Sequence, residues 1–142
     1  MNLKTDFKTD WISSALSNDA ITFAEKFGTY LCDLREDKFK KDALRLGGDA
    51  MTTSQIRNFF GEVKRIQLAG FEQEHTAFLL IRPKLAYAEA RALQKNSGSR
   101  LKDFRFVMDK AHQAVSNETQ FQNFVYLLES ILAYHKASGG RD

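Results

Sequence analysis

Residues 52–70 read TTSQIRNFFGEVKRIQLAG, and this stretch decides the fold. On a wheel of about 100° per residue, Ile56, Phe59, Phe60, Val63 and Ile66 fall on one stripe. A stripe of that width is the core-facing side of an amphipathic helix. Thr52, Thr53 and Ser54 offer hydroxyl caps before it, and Gly70 can end it. The stretch therefore predicts a helix over residues 55–68. Beside the stripe, Arg57, Gly61, Lys64 and Leu68 fall together, with Arg65 further round. Gly61 costs that helix about 1 kcal/mol relative to alanine, so a reason for it is expected. Two readings stay open: close approach of a phosphate backbone between two cations, or close packing of a neighbouring helix.

Outward from this segment the dominant period is also helical. A short helix is expected over residues 10–17, capped by Asp10. A second is expected over 19–34, capped by Asp19 and carrying Ile21, Phe23, Ala24, Phe27, Tyr30, Leu31 and Leu34 inward. The charged run 35–42 reads as a frayed helix, followed by Gly47-Gly48 and a loop. A fourth helix spans residues 72–95. The only proline, Pro83, removes a backbone donor there and predicts a kink or break near Ile81–Arg82. Asn96-Ser97-Gly98-Ser99 is a loop, with Ser97 or Ser99 capping the fifth helix. That helix carries Leu101, Phe104, Val107, Met108, Ala111 and Val115, and Ser116-Asn117 breaks it. The sixth carries Phe121, Phe124, Val125, Leu128, Ile131 and Leu132. The fold class is all-α: a single compact bundle of about five to six helices over residues 1–142, with residues 1–8 and 137–142 expected to be flexible.

Charge is unevenly placed. Residues 54–102 hold nine Lys/Arg against four Asp/Glu, whereas 1–53 hold eight against nine and 103–142 four against five. The positive excess thus sits in the middle, a footprint that suits a polyanion or simply keeps helices solvated. Past Pro83, Lys84, Tyr87, Ala88, Arg91 and Lys95 share one helix side. Arginine pairs phosphate bidentately, lysine is a point charge, and tyrosine can stack on a base or sugar. The plain alternative is a solvated face that Glu89 partly neutralises. Two basic faces in the one basic segment favour RNA.

Catalytic constellations are missing from the sequence. Gly47-Gly48 lacks the Lys-Ser/Thr of a phosphate cradle, and no His-Glu-x-x-His motif occurs. His75 near Glu72 and Glu74, and His112 three residues after Asp109, are too scattered for a metal site, and no metal or cofactor is expected. The single cysteine, Cys32, excludes an internal disulfide and reads as a small buried hydrophobe. No run of about 20 apolar residues occurs, and residues 1–10 do not resemble a signal peptide, so a cytoplasmic protein without membrane contact is expected. A protein–protein module remains the alternative, with Phe7, Phe39 and Phe71 as candidates for an exposed apolar stripe.

Two blocks carry a family resemblance. Thr53-Ser54-Gln55-Ile56-Arg57-Asn58-Phe59-Phe60-Gly61-Glu62-Val63-Lys64-Arg65-Ile66 resembles the signature of the small subunit of type III-A CRISPR effector complexes, the Csm complex, although the family often has tyrosine at the place of Phe60. Leu79-Leu80-Ile81-Arg82-Pro83-Lys84-Leu85-Ala86-Tyr87-Ala88 with Arg91 resembles its second hallmark. Residues 1–50 resemble nothing nameable, and the C-terminal helices match only in kind. The resemblance implies a helical subunit without catalytic activity, several copies of which stack head to tail beside the guide-RNA/target-RNA channel. It implies partners: guide RNA and target RNA, other copies of the chain, the backbone subunits and the large polymerase-like subunit. It also implies that Arg57, Lys64, Arg65, Arg82, Lys84 and Arg91 contact RNA backbone, while guide pairing reads the sequence. Tyr87 and Lys95 join them through the shared helix side.

Overall fold

The structure is a computed structural model that describes residues 1–95 and 98–141. Two helices of four residues each, α1 (Leu3–Asp6) and α2 (Asp10–Ser13), lead into α3 (Asn18–Tyr30). A short hairpin comes next, with β1 (Leu34–Glu36) antiparallel to β2 (Leu44–Leu46). Four longer helices complete the chain: α4 (Thr53–Ala69), α5 (His75–Gln94), α6 (Ser99–Gln113) and α7 (Glu118–Ala137). The all-α reading holds, and the hairpin is the one departure from it.

The core explains the arrangement. Phe23, Phe27, Ile56, Val63, Phe78, Phe104, Phe121 and Phe124 belong to one buried cluster that runs through every long helix. Burying a side chain of this size contributes about 1.5–3 kcal/mol, so the helices are stable only together. Phe7 and Phe71, two of the candidates for an exposed stripe, are core residues; Phe39 alone of the three is exposed. α3 lies against α7 at Gly28, where a β-carbon would stand 2.7 Å from the backbone nitrogen of His135. Contacts also reach residues near both ends of the chain. Phe7 packs edge-on to Trp11, and the Thr53 N–H donates to the carbonyl of Arg141 at 3.1 Å.

Several boundaries differ from the sequence reading. The helix expected over 19–34 ends at Tyr30, because the chain turns through Leu31 and Cys32 and Asp33 takes a positive φ of 47°. Cys32 is buried as expected, its thiol facing the carbonyls of Gly28 and His135. The charged run 35–42 is not a frayed helix. It has no apolar stripe to bury, and the chain instead pairs Leu34 with Leu46 and Glu36 with Leu44. Asp33 closes the base: its carboxylate accepts from Arg35 (2.9 Å), Arg100 (3.1 Å) and the Asp49 N–H (3.1 Å). Burial pushes the Asp33 carboxyl up, but these donors outweigh it and hold it below the usual range. Caps shift by a residue or two: Thr9 and Ser17, not Asp10 and Asp19, stand at the N-caps of α2 and α3.

Of the kink or break expected near Ile81–Arg82, the break does not occur. α5 runs unbroken from His75 to Gln94 with Pro83 inside it. The acceptor that proline leaves without a helical donor, the Leu79 carbonyl, belongs to a residue on the exposed side where water can satisfy it. Phe78, Ile81, Leu85 and Ala92 pin the other side to the core. Before α6, Gly98 occupies the N-cap with a left-handed φ of 100° and no side-chain cap bond, so Ser99 is the first helical residue rather than the cap. Asn96 and Ser97, including the cap expected from Ser97, lie outside the described residues.

Candidate nucleic-acid interface

α4 is set by a capping box: the Thr52 hydroxyl accepts from the Gln55 N–H (3.1 Å) and the Gln55 side chain accepts from the Thr52 N–H (2.8 Å). The box fixes where α4 starts, and the buried Ile56, Val63 and Ile66 fix which side carries its charges. Arg57 is exposed with no carboxylate partner among the described residues. A β-carbon at Gly61 would meet nothing within 4 Å, so close helix packing does not explain this glycine. Lys64 donates to Gln67 at 2.6 Å and lies 3.5 Å from Glu129 on α7. That ion pair is half exposed on both sides, so it contributes little, and another anion can replace the carboxylate.

Arg65 lies elsewhere. It pairs with Glu62 at 3.0 Å and with Glu74 at 3.5 Å. Glu62 also stands 3.5 Å from Lys84 on α5, so one carboxylate links two of the expected RNA contacts across the α4–α5 seam. The Arg65 hydrogen bond, helped by Lys84, holds the Glu62 carboxyl below the usual range against its partial burial. Glu62 is the site residue that the sequence reading misses. Its spacing to Arg65 is visible there, but its reach to Lys84 depends on how the two helices pack. Glu89, expected to compensate the α5 cations, instead bonds Arg105 of α6 at 2.8 Å.

On α5 the shared side is realised. Lys84, Tyr87, Arg91 and Lys95 are all exposed, Tyr87 at 67%, and the Arg91 guanidinium lies 5.9 Å from the centre of the Tyr87 ring. Neither Arg91 nor Lys95 has a carboxylate partner among the described residues. Arg82 is not part of this side. At 100° per residue it points about 160–180° away from Lys84 and Arg91. It is close enough to His112 of α6 to disfavour protonation of that ring. The eight expected contacts thus separate into three groups: Arg57 with Lys64 on the α7 side of α4, Arg65 with the α5 row at the seam, and Arg82 alone on the α6 side. Between the rows at the seam lies a groove of about 210 Å³, lined by Phe59, Ile81, Leu85 and Ala88 with Glu62 and Lys84 at its polar edge.

The two buried histidines are structural. His112 Nε2 bonds the Phe78 carbonyl at 2.7 Å while its ring stacks on Phe78, and His135 Nε2 bonds the Met51 carbonyl at 2.7 Å. Among the described residues no three His, Cys, Asp or Glu side chains gather as a metal group. No described helix is long and apolar enough to cross a membrane.

Compared with known families, residues 33–141 match the family described as Csm2 Type III-A. The chain belongs to this family. It is therefore a small subunit of the type III-A CRISPR Csm complex. The match is wider than the two blocks at residues 53–91: it takes in the hairpin, α6 and α7 and begins at Asp33, the residue that closes the hairpin base. All eight expected contact residues lie inside it, and α1 to α3 precede it. No curated protein and no solved structure matches the chain.

Proposed function

We propose that this Csm2-family subunit is non-catalytic and stacks in several copies along the channel where target RNA pairs with guide RNA in the cytoplasm. Other copies of itself, the backbone subunits and the large polymerase-like subunit are its protein partners. Its α5 side contacts RNA backbone. The observation that carries this reading is the single exposed row of Lys84, Tyr87, Arg91 and Lys95, with Arg91 and Lys95 free of carboxylates among the described residues. Lys84 and Arg91 stand seven residues apart, two turns or about 10 Å along the helix, which lets two cations meet successive stretches of one phosphate chain. Arg57 and Lys64 form a second contact on the far side of α4. Arg65 and Lys84 share Glu62, which an RNA phosphate would displace from these partly exposed pairs, and Arg82 is the weakest member because it faces α6.

The test is the double substitution Lys84→Ala with Arg91→Ala. Both side chains are exposed, so the fold should survive, as read by an unchanged urea midpoint. RNA affinity at low salt is expected to fall about tenfold or more, and the slope of log affinity against log salt to become shallower by nearly two. A folded double variant with unchanged affinity and slope overturns the assignment.

A further inference from the structure

We infer that the β1–β2 hairpin tip is a second RNA-contacting element, in which Phe39 stacks on an unpaired base while Lys38, Lys40 and Lys41 meet the flanking phosphates; this rests on the RNA reading above. Phe39 is 94% exposed, the most exposed large apolar side chain among the described residues. The backbone that carries it is closed by hydrogen bonds. The Phe39 N–H donates to the Asp37 carboxylate at 2.8 Å, and the Asp37 N–H donates to the Ala43 carbonyl at 3.0 Å, closing the tip. Leaving a phenylalanine in water forgoes the gain of burying it, which a stacked partner would recover.

Charge selects the partner. Between Arg35 and Arg45 the hairpin carries five cations, Arg35, Lys38, Lys40, Lys41 and Arg45, against Glu36, Asp37 and Asp42. Arg35 and Arg45 stand directly opposite each other in the strand register, an arrangement that destabilises a hairpin unless an anion lies nearby. Arg35 is answered by Asp33 and Asp49, whereas Arg45 is exposed and has no carboxylate among the described residues. A surface built to bury Phe39 in another protein would surround it with apolar or aromatic neighbours, and lysine is depleted from such surfaces. Here the neighbours are lysines. Aromatic side chains among cations, exposed to a base face, are the means by which proteins hold single-stranded nucleic acid without reading sequence. The basic character is hidden in the sequence because the acidic residues of α1 to α3 cancel it in the sum over residues 1–53.

The experiment titrates the full chain at low salt with a labelled 20-nucleotide single-stranded RNA and with the same RNA annealed to its complement. Wild type, Phe39→Ala, Phe39→Trp and the Lys84→Ala/Arg91→Ala variant are compared. The inference expects Phe39→Ala to weaken single-strand binding at least fivefold, Phe39→Trp to retain it, and duplex binding to change less than twofold in both. Equal single-strand affinity for Phe39→Ala and wild type, with Lys84→Ala/Arg91→Ala still weakened, overturns the hairpin assignment and leaves the α5 reading standing. No binding of either RNA by wild type overturns both. If Phe39→Ala keeps RNA affinity but no longer co-purifies with the other Csm subunits, the tip is a protein contact and the inference fails.

Discussion

A β-carbon at Gly28 would stand 2.7 Å from the His135 nitrogen and 2.9 Å from the Ile131 carbonyl oxygen, both backbone atoms of α7. The same carbon at Gly61 would meet nothing within 4 Å. The two glycines therefore answer substitution in opposite directions. Gly28→Ala forces α3 and α7 apart and should destabilise the chain by about 1–3 kcal/mol. Gly61→Ala should stabilise it by about 1 kcal/mol through helix propensity alone. Urea midpoints of the two variants check this, and equal shifts would contradict it. From sequence alone Gly61 could be a packing or a phosphate position, since its neighbours in space are not its neighbours in the chain. The structure leaves it open to solvent between Arg57 and Lys64. Glu62 is hard to read for the same reason: its bond to Lys84 spans two helices.

At the scale of elements, the legible part of the sequence is the part that repeats. The stripes of α3, α4, α6 and α7 recur every three or four residues over three or more turns, and each reappears as a buried face. The hairpin is not legible because strands of three residues leave no alternation to count. Proline at position 83 is legible as a lost donor but misleads as a break, since exposure of the Leu79 side is not visible in the sequence. The buried histidines tie elements together and make the packing sensitive to pH. Burial lowers the affinity of His112 for a proton, and the Phe78 carbonyl opposes this only in part. Burial likewise lowers that of His135 against the Met51 carbonyl. Both folded values lie below the unfolded 6.5, so the unfolded chain binds more protons just below that pH. Their contribution is present in full above about pH 6.5 and is lost as pH falls through the folded values. A urea midpoint that drops between pH 7.5 and pH 5.5 is the expected result, and a flat one contradicts it.

For the whole molecule, the middle of the chain carries the positive excess, and folding distributes it over several surfaces rather than one. Lys84, Tyr87, Arg91 and Lys95 group correctly from sequence, because a single helix fixes their relation. Arg57, Arg65 and Arg82 cannot be related to that row in the same way, because those relations depend on how α4, α5, α6 and α7 pack. A subunit with separate basic faces and an exposed hairpin suits an assembly in which RNA and several proteins surround it. The most direct test is to tag the chain in its native host, with the CRISPR locus expressed, purify it gently and identify what accompanies it. The account predicts a discrete short guide RNA together with larger Csm subunits in fixed proportions. Recovery of the chain alone, free of RNA at low salt, would contradict it.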